Sequence, residues 1–138
     1  MDEALIDTDI LSEILKGKNA QVLAAAQQYL AVHQRLAFST MTMYEIMRGM
    51  LANQASRQLA GFLAITSTSD MLPISVPVLK RAAGLWAEAR KNGHPRDDAD
   101  LIIAATAIEA QRVLVTGNTA HFSWISGLRL ADWRSVTP

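Results

Sequence analysis

Three carboxylates and one carboxamide stand where a chain of this pattern could do chemistry. Asp7 follows the apolar run Ala4-Leu5-Ile6, and Asn118 lies just beyond Gly117 after Val113-Leu114-Val115-Thr116. Glu45 comes shortly after Leu36-Ala37-Phe38-Ser39, and Asp100 sits among the first residues of the helical segment that starts near Asp98. Carboxylates gathered at one edge repel one another, which raises their pKa values unless a cation occupies the centre. Oxygen donors without thiolates or paired histidines favour Mg²⁺ or Mn²⁺ over zinc. Such an ion acidifies water and stabilises charge on a phosphoryl oxygen, so phosphodiester hydrolysis is the natural chemistry of the set.

Each residue also has a plainer reading. Asp7 can simply cap the next helix. Glu45 can pair with Arg48 at i, i+3 for tenths of a kcal/mol, and Asp97, Asp98 and Asp100 all suit the positive end of a helix. Their placement after successive strands sets them apart, because open α/β sheets gather ligands outside the carboxyl ends of their strands.

The elements that must position them follow from periodicity and punctuation. Residues 3–7 read as a buried strand, followed by a helix capped by Asp7, Thr8 or Asp9 and stopped at Gly17. A second helix spans Asn19 to His33, and Leu36–Ser39 is the next strand. Thr40 or Thr42 caps a helix that carries Glu45 in its first turn, and a further helix covers about Ala55 to Ile65. Met71–Ile74 is an edge strand marked by Pro73. Pro77 opens a helix that runs to Asn92-Gly93, and another extends from about Asp98 to Gln111. Val113–Thr116 and Leu128–Leu130 are the last strands. Alternating strands and helices specify an α/β domain, residues 1–138, with a mostly parallel sheet of about five short strands covered on both faces.

Composition narrows the field. Half of the 138 residues are apolar and 19% are charged, enough for one sizeable core. Thirteen basic and thirteen acidic residues cancel, which speaks against non-specific duplex binding but allows a local basic rim. The absence of cysteine excludes disulfides, zinc–thiolate sites and thiol nucleophiles. The acidic start MDEALIDTDI does not read as a signal peptide, and no apolar run approaches a membrane span, so the expected location is the cytoplasm. His33, His94 and His121 lack metal-ligand spacing, and no GxGxxG, Walker A or GxSxG pattern occurs. Arg90, Lys91, His94 and Arg96 could bind phosphate or form a solvated face; Met41, Met43, Met47 and Met50 suit core or interface packing.

Four segments in this order, LIDTDILSEIL, TMTMYEIMRG, DADLIIAATAIEAQRVLVTGNTAHF and GLRLADW, resemble PIN-domain proteins of the VapC toxin type across nearly the whole chain. The resemblance implies a three-layer α/β/α fold and a metal-dependent endoribonuclease, the toxin of a toxin–antitoxin pair. It makes Asp7 and Asp100 the principal Mg²⁺ ligands, with Mn²⁺ as an alternative ion. Glu45 completes the acidic site directly or through water, and Thr116 orients Asp7 through its hydroxyl. Asn118 departs from the pattern, since many relatives have aspartate there and others an acid at the position of His121. Asparagine offers a carbonyl oxygen but no charge, which favours one metal over two unless Asp97 or Asp98 compensates. The implied partners are RNA such as transfer RNA, an antitoxin helix in a groove near Met41–Met50, and a second copy in a homodimer. Arg48, Arg90 and Arg96 are candidates to guide the RNA backbone.

Two other classes fit some of these residues. One is a module that keeps the acidic pocket but only binds nucleic acid or a partner. The other is a phosphatase using Asp7-Thr8-Asp9 as a DxD nucleophile motif, which usually needs a longer chain and a distant lysine motif that is not found.

Overall fold

Strand length and side-chain alternation explain the layering. In the computed structural model, which describes residues 1–135, β1 (Ala4–Ile6), β2 (Ala37–Ser39), β3 (Asp70–Leu72) and β4 (Val113–Val115) hold three residues each, and β5 (Leu130–Ala131) two. Successive strand side chains point to opposite faces. Accordingly Ala4, Ile6 and Val115 enter one apolar cluster, while Leu5 and Leu114 enter another. Every residue of β1 and β2 is buried, as expected for strands covered on both sides.

The first cluster is closed by α1 (Thr8–Lys16), α2 (Ala20–His33), α3 (Thr40–Ala52) and α4 (Ser56–Thr66), through Ile10, Leu11, Val22, Tyr29, Ile46 and Phe62. The second is closed by α5 (Val76–Lys91), α6 (Asp98–Glu109) and the short α7 (Thr119–Phe122), through Leu85, Leu101, Ile103 and Phe122. Full burial of such side chains is worth about 1.5–3 kcal/mol each relative to exposure.

All strand pairs are parallel, in the orders β1-β4-β5 and β2-β3. β1 lies alongside β2 with no ladder between them among the described residues, so the expected single sheet is divided. A side chain occupies part of the gap. Glu3 O and Asp7 N bond to β4, which turns the Ala4 peptide groups the other way. There the Ala4 N–H donates to the buried Tyr29 hydroxyl at 3.0 Å, taking the bond that a β2 carbonyl would accept.

Several local boundaries differ from the sequence expectations. The cap of α3 is Ser39, whose hydroxyl accepts from Met41 N at 3.0 Å, so Thr40 is already helical and Glu45 sits in the second turn. The edge strand starts at Asp70 and ends at Leu72, because Pro73 has no N–H for a ladder. The last strand is Leu130–Ala131, starting two residues later than the expected Leu128 and ending one later. α6 ends at Glu109, and the chain turns through Gln111 at φ 56° into β4. α1 stops at Gly17, whose φ of 68° suits glycine and whose N–H donates to Glu13 O at 3.1 Å.

Candidate active site

Asp7 is the last polar outcome of β1 and the N-cap of α1 at once. Its Oδ1 accepts from Thr8 N at 2.7 Å and its Oδ2 from the Thr116 hydroxyl at 2.8 Å. Thr116 directly follows β4 and is fully buried; its Oγ1 also accepts from Asn118 N at 3.0 Å. Asp7 is only 5% exposed. Burial, followed by the negative charge of Asp9, pushes its pKa from 3.8 to about 7 against the two hydrogen bonds, and Asp100 adds to the rise.

Asp100 lies in the first turn of α6. Its pKa is also raised, by burial first and then by Asp97, Glu45 and Asp9, with His121 opposing. His121 Nδ1 stands 3.9 Å from Asp100 Oδ2. Glu45 reaches the group from α3: its Oε1 accepts from the Thr8 hydroxyl at 2.7 Å, and its Oε2 is 3.8 Å from Arg48. Thr8 Oγ1 is also 3.0 Å from the buried Thr42 hydroxyl, which ties α1 to α3 beneath Glu45.

The structure thus brings Asp7, Asp100, Glu45 and Thr116 to one edge of the sheet and adds Asp9, which the sequence reading used only as a cap or in a phosphatase motif. Asp9 accepts from Ile10 N at 2.8 Å through Oδ1 and from Gly117 N at 2.9 Å through Oδ2. The only sequence signal for it was its place two residues after Asp7. Asn118 joins through its backbone, and its side chain makes no cap bond at α7. Asp97 caps α6 by accepting from Ala99 N at 3.3 Å and acts on Asp100 through its charge. Asp98 instead borders a hollow formed by Leu79, Trp86, Leu101 and Ile102. Arg90 stacks on Trp86 at 4.7 Å.

Among the described residues, no three histidine or carboxylate side chains stand close enough to cage a metal ion alone. A hard divalent ion that keeps several waters does not require such a cage. The donors are all oxygens, and two of them carry raised pKa values, the condition a bound cation relieves. The residues therefore fit Mg²⁺ or Mn²⁺ held jointly with water and phosphate oxygens.

Comparison with known proteins places this geometry. The tRNA(fMet)-specific endonuclease VapC of Shigella flexneri is 28% identical over 130 residues, covering 94% of this chain and 96% of that protein. Ribonuclease VapC19 of Mycobacterium tuberculosis is 29% identical over 126 residues, with 91% and 96% covered. Among solved structures, DNA-bound VapBC from Salmonella typhimurium superposes with a TM-score of 0.84 at 25% identity, covering 96% of this chain and 99% of that one. A toxin–antitoxin complex from Klebsiella pneumoniae gives 0.74 at 27% identity, covering 95% and 98%. The PIN domain model matches residues 4–126. That span takes in every element from β1 to α7, and the chain belongs to the PIN domain family.

Proposed function

We propose that this chain is a Mg²⁺-dependent endoribonuclease and the toxin of a toxin–antitoxin pair. The observation that carries the reading is the buried Asp7 carboxylate, fixed through both oxygens and surrounded by further carboxylates at the sheet edge. Relatives named as ribonucleases along nearly the whole chain support it. Asp7 and Asp100 would hold the metal, with Glu45 completing the set directly or through water. When bound, the ion supplies positive charge to the scissile phosphate and acidifies water. The protein's own part is positional. Thr8 N–H and the Thr116 hydroxyl lock the Asp7 rotamer, so the carboxylate needs no reorganisation when substrate arrives. The Thr8 hydroxyl fixes Glu45 Oε1, so that Oε2, 3.8 Å from Arg48, is the oxygen that would orient the attacking water and take its proton. Arg48, half-exposed beside Glu45, is placed to meet the RNA backbone.

The expected antitoxin also has a seat. A groove of about 780 Å³ lies between α1, α3 and α4, lined by Leu15, Ile46, Met50, Phe62 and Ile65, with Thr8 and Glu45 at its edge. An amphipathic helix in it would bring a basic side chain to the carboxylates. Of the methionines, Met50 lines this groove, while Met41 packs on the α5–α6 core and Met43 and Met47 on the other. The homodimer has an exposed apolar surface available on α5, at Val76, Leu79 and Trp86.

The decisive experiment incubates the purified chain, freed of copurifying protein, with total RNA and Mg²⁺. EDTA controls and the Asp7→Asn and Asp100→Asn variants run in parallel. Discrete fragments that vanish in all three controls are the expected outcome. Cleavage that survives both variants would overturn the assignment of the ligands, and a folded but inert wild type in Mg²⁺ and Mn²⁺ would favour a binding module.

A further inference from the structure

Gly117 poses a question that its backbone does not answer. Its φ lies outside the left-handed region, so conformation alone does not call for glycine. A Cβ there would instead fall within the Arg134 guanidinium, which packs on the glycine and donates from Nη2 to the Gly117 carbonyl. Arg134 belongs to the turn after β5. That turn is anchored by Trp133, 9% exposed and packed at a tilt against Tyr29 with ring centroids 5.7 Å apart. Asp132 holds the arginine from the other side, accepting from its backbone N at 2.8 Å and facing its Nε at 3.4 Å.

The carbonyl held in this way belongs to the Gly117–Asn118 peptide, and the Gly117 N–H of the preceding peptide faces the acidic site. Gly117 N–H donates to Asp9 Oδ2 at 2.9 Å, and on either side of it the Thr116 hydroxyl holds Asp7 and the Asn118 N–H holds Thr116. Glycine is the freest residue of the backbone, so a Gly turn keeps one orientation only if something outside holds it. Arg134 restrains the carbonyl side of Gly117 and Asp9 the amide side. Asp9, fixed at both oxygens, acts through its negative charge on both Asp7 and Asp100.

We propose that Arg134 is a positioning residue of the acidic site: by holding the Gly117 carbonyl it fixes the Thr116–Asn118 turn, whose Gly117 N–H aims Asp9 as the additional carboxylate of the divalent-metal site. The proposal rests on the metal-nuclease reading above. Groups that orient ligands typically change metal affinity by about 10–100-fold when removed.

The test measures Mn²⁺ and Mg²⁺ affinity of the full chain by calorimetry, together with exchange of the Gly117 amide by NMR in the metal-free protein. Arg134→Ala is expected to weaken metal binding by about 10-fold and to speed Gly117 exchange, with little change in Tm for a half-exposed side chain. Arg134→Lys, which keeps a donor, should recover part of the affinity. In an Asp9→Asn background the Arg134→Ala change should cost little further, because the two act through the same Gly117 turn. Wild-type affinity in Arg134→Ala, or losses that add fully to those of Asp9→Asn, would overturn the proposal alone. A wild type that binds neither ion would overturn the nuclease reading and this one with it.

Discussion

Replacing Asp7 by asparagine should abolish cleavage and yet make the metal-free protein more stable at neutral pH and above. Asp7 carries a pKa of about 7 in the folded chain against an ordinary value of 3.8, through burial and then the charge of Asp9. Below about pH 4 the carboxyl is protonated in both states and costs nothing. As pH rises past 3.8 the unfolded chain releases its proton first, so folding stability falls until the folded carboxyl ionises near 7, and then levels off. The full difference corresponds to about 4 kcal/mol. Asparagine is the same size. Its carbonyl can still accept from Thr8 N, while Thr116 Oγ1 would have to turn and accept instead of donate, a loss of about 1 kcal/mol. The net expectation is a gain of about 3 kcal/mol at pH 8, or roughly 10 °C in Tm for a chain of this size, and no gain at pH 4. Urea and thermal unfolding of EDTA-treated protein across this range would measure it. Mg²⁺ at 100 times its dissociation constant should then stabilise the wild type by about 2.7 kcal/mol and leave the variant almost unmoved. An asparagine variant no more stable than wild type at pH 8, or an advantage that is the same at pH 4, would refute the electrostatic account of the site.

Other consequences can be checked separately. Thr116→Val removes the hydroxyl that favours ionised Asp7 and orphans Asn118 N–H; the pH profile of cleavage should move upward, and stability should drop by about 1–3 kcal/mol. Thr116→Ser should restore the pH profile. Leu114→Ala opens a cavity at a fully buried position of β4 and should cost about 2–5 kcal/mol in denaturant unfolding. Trp86→Lys places a charge on the exposed apolar face of α5, and sedimentation should show a shift from dimer to monomer with the fold retained.

The sequence by itself settled whatever its neighbours along the chain encode. Short apolar runs ending in polar residues marked β1, β2 and β4, and Pro77, Gly17 and Asn92-Gly93 marked helix limits. Asp7 and Asp100 were legible for the same reason, since each stands directly at the junction of an apolar segment and a helix start. Where two adjacent hydroxyls compete, local signals fail: Ser39 rather than Thr40 caps α3, and Glu45 moves by a turn. The remainder depends on which strands lie side by side. Thr116 meets Asp7 across 109 positions and Gly117 meets Asp9 across 108, contacts set by the register of β1 on β4. The Thr116 role follows from family resemblance, Asp9 stands in the sequence only as a cap or in a DxD motif, and nothing local marks Arg134. The bond from the Ala4 N–H to the Tyr29 hydroxyl, across 25 positions, is of the same kind. A hydrogen bond between distant segments leaves no periodic trace in either of them, because its geometry exists only once burial and strand register have brought the two backbones together.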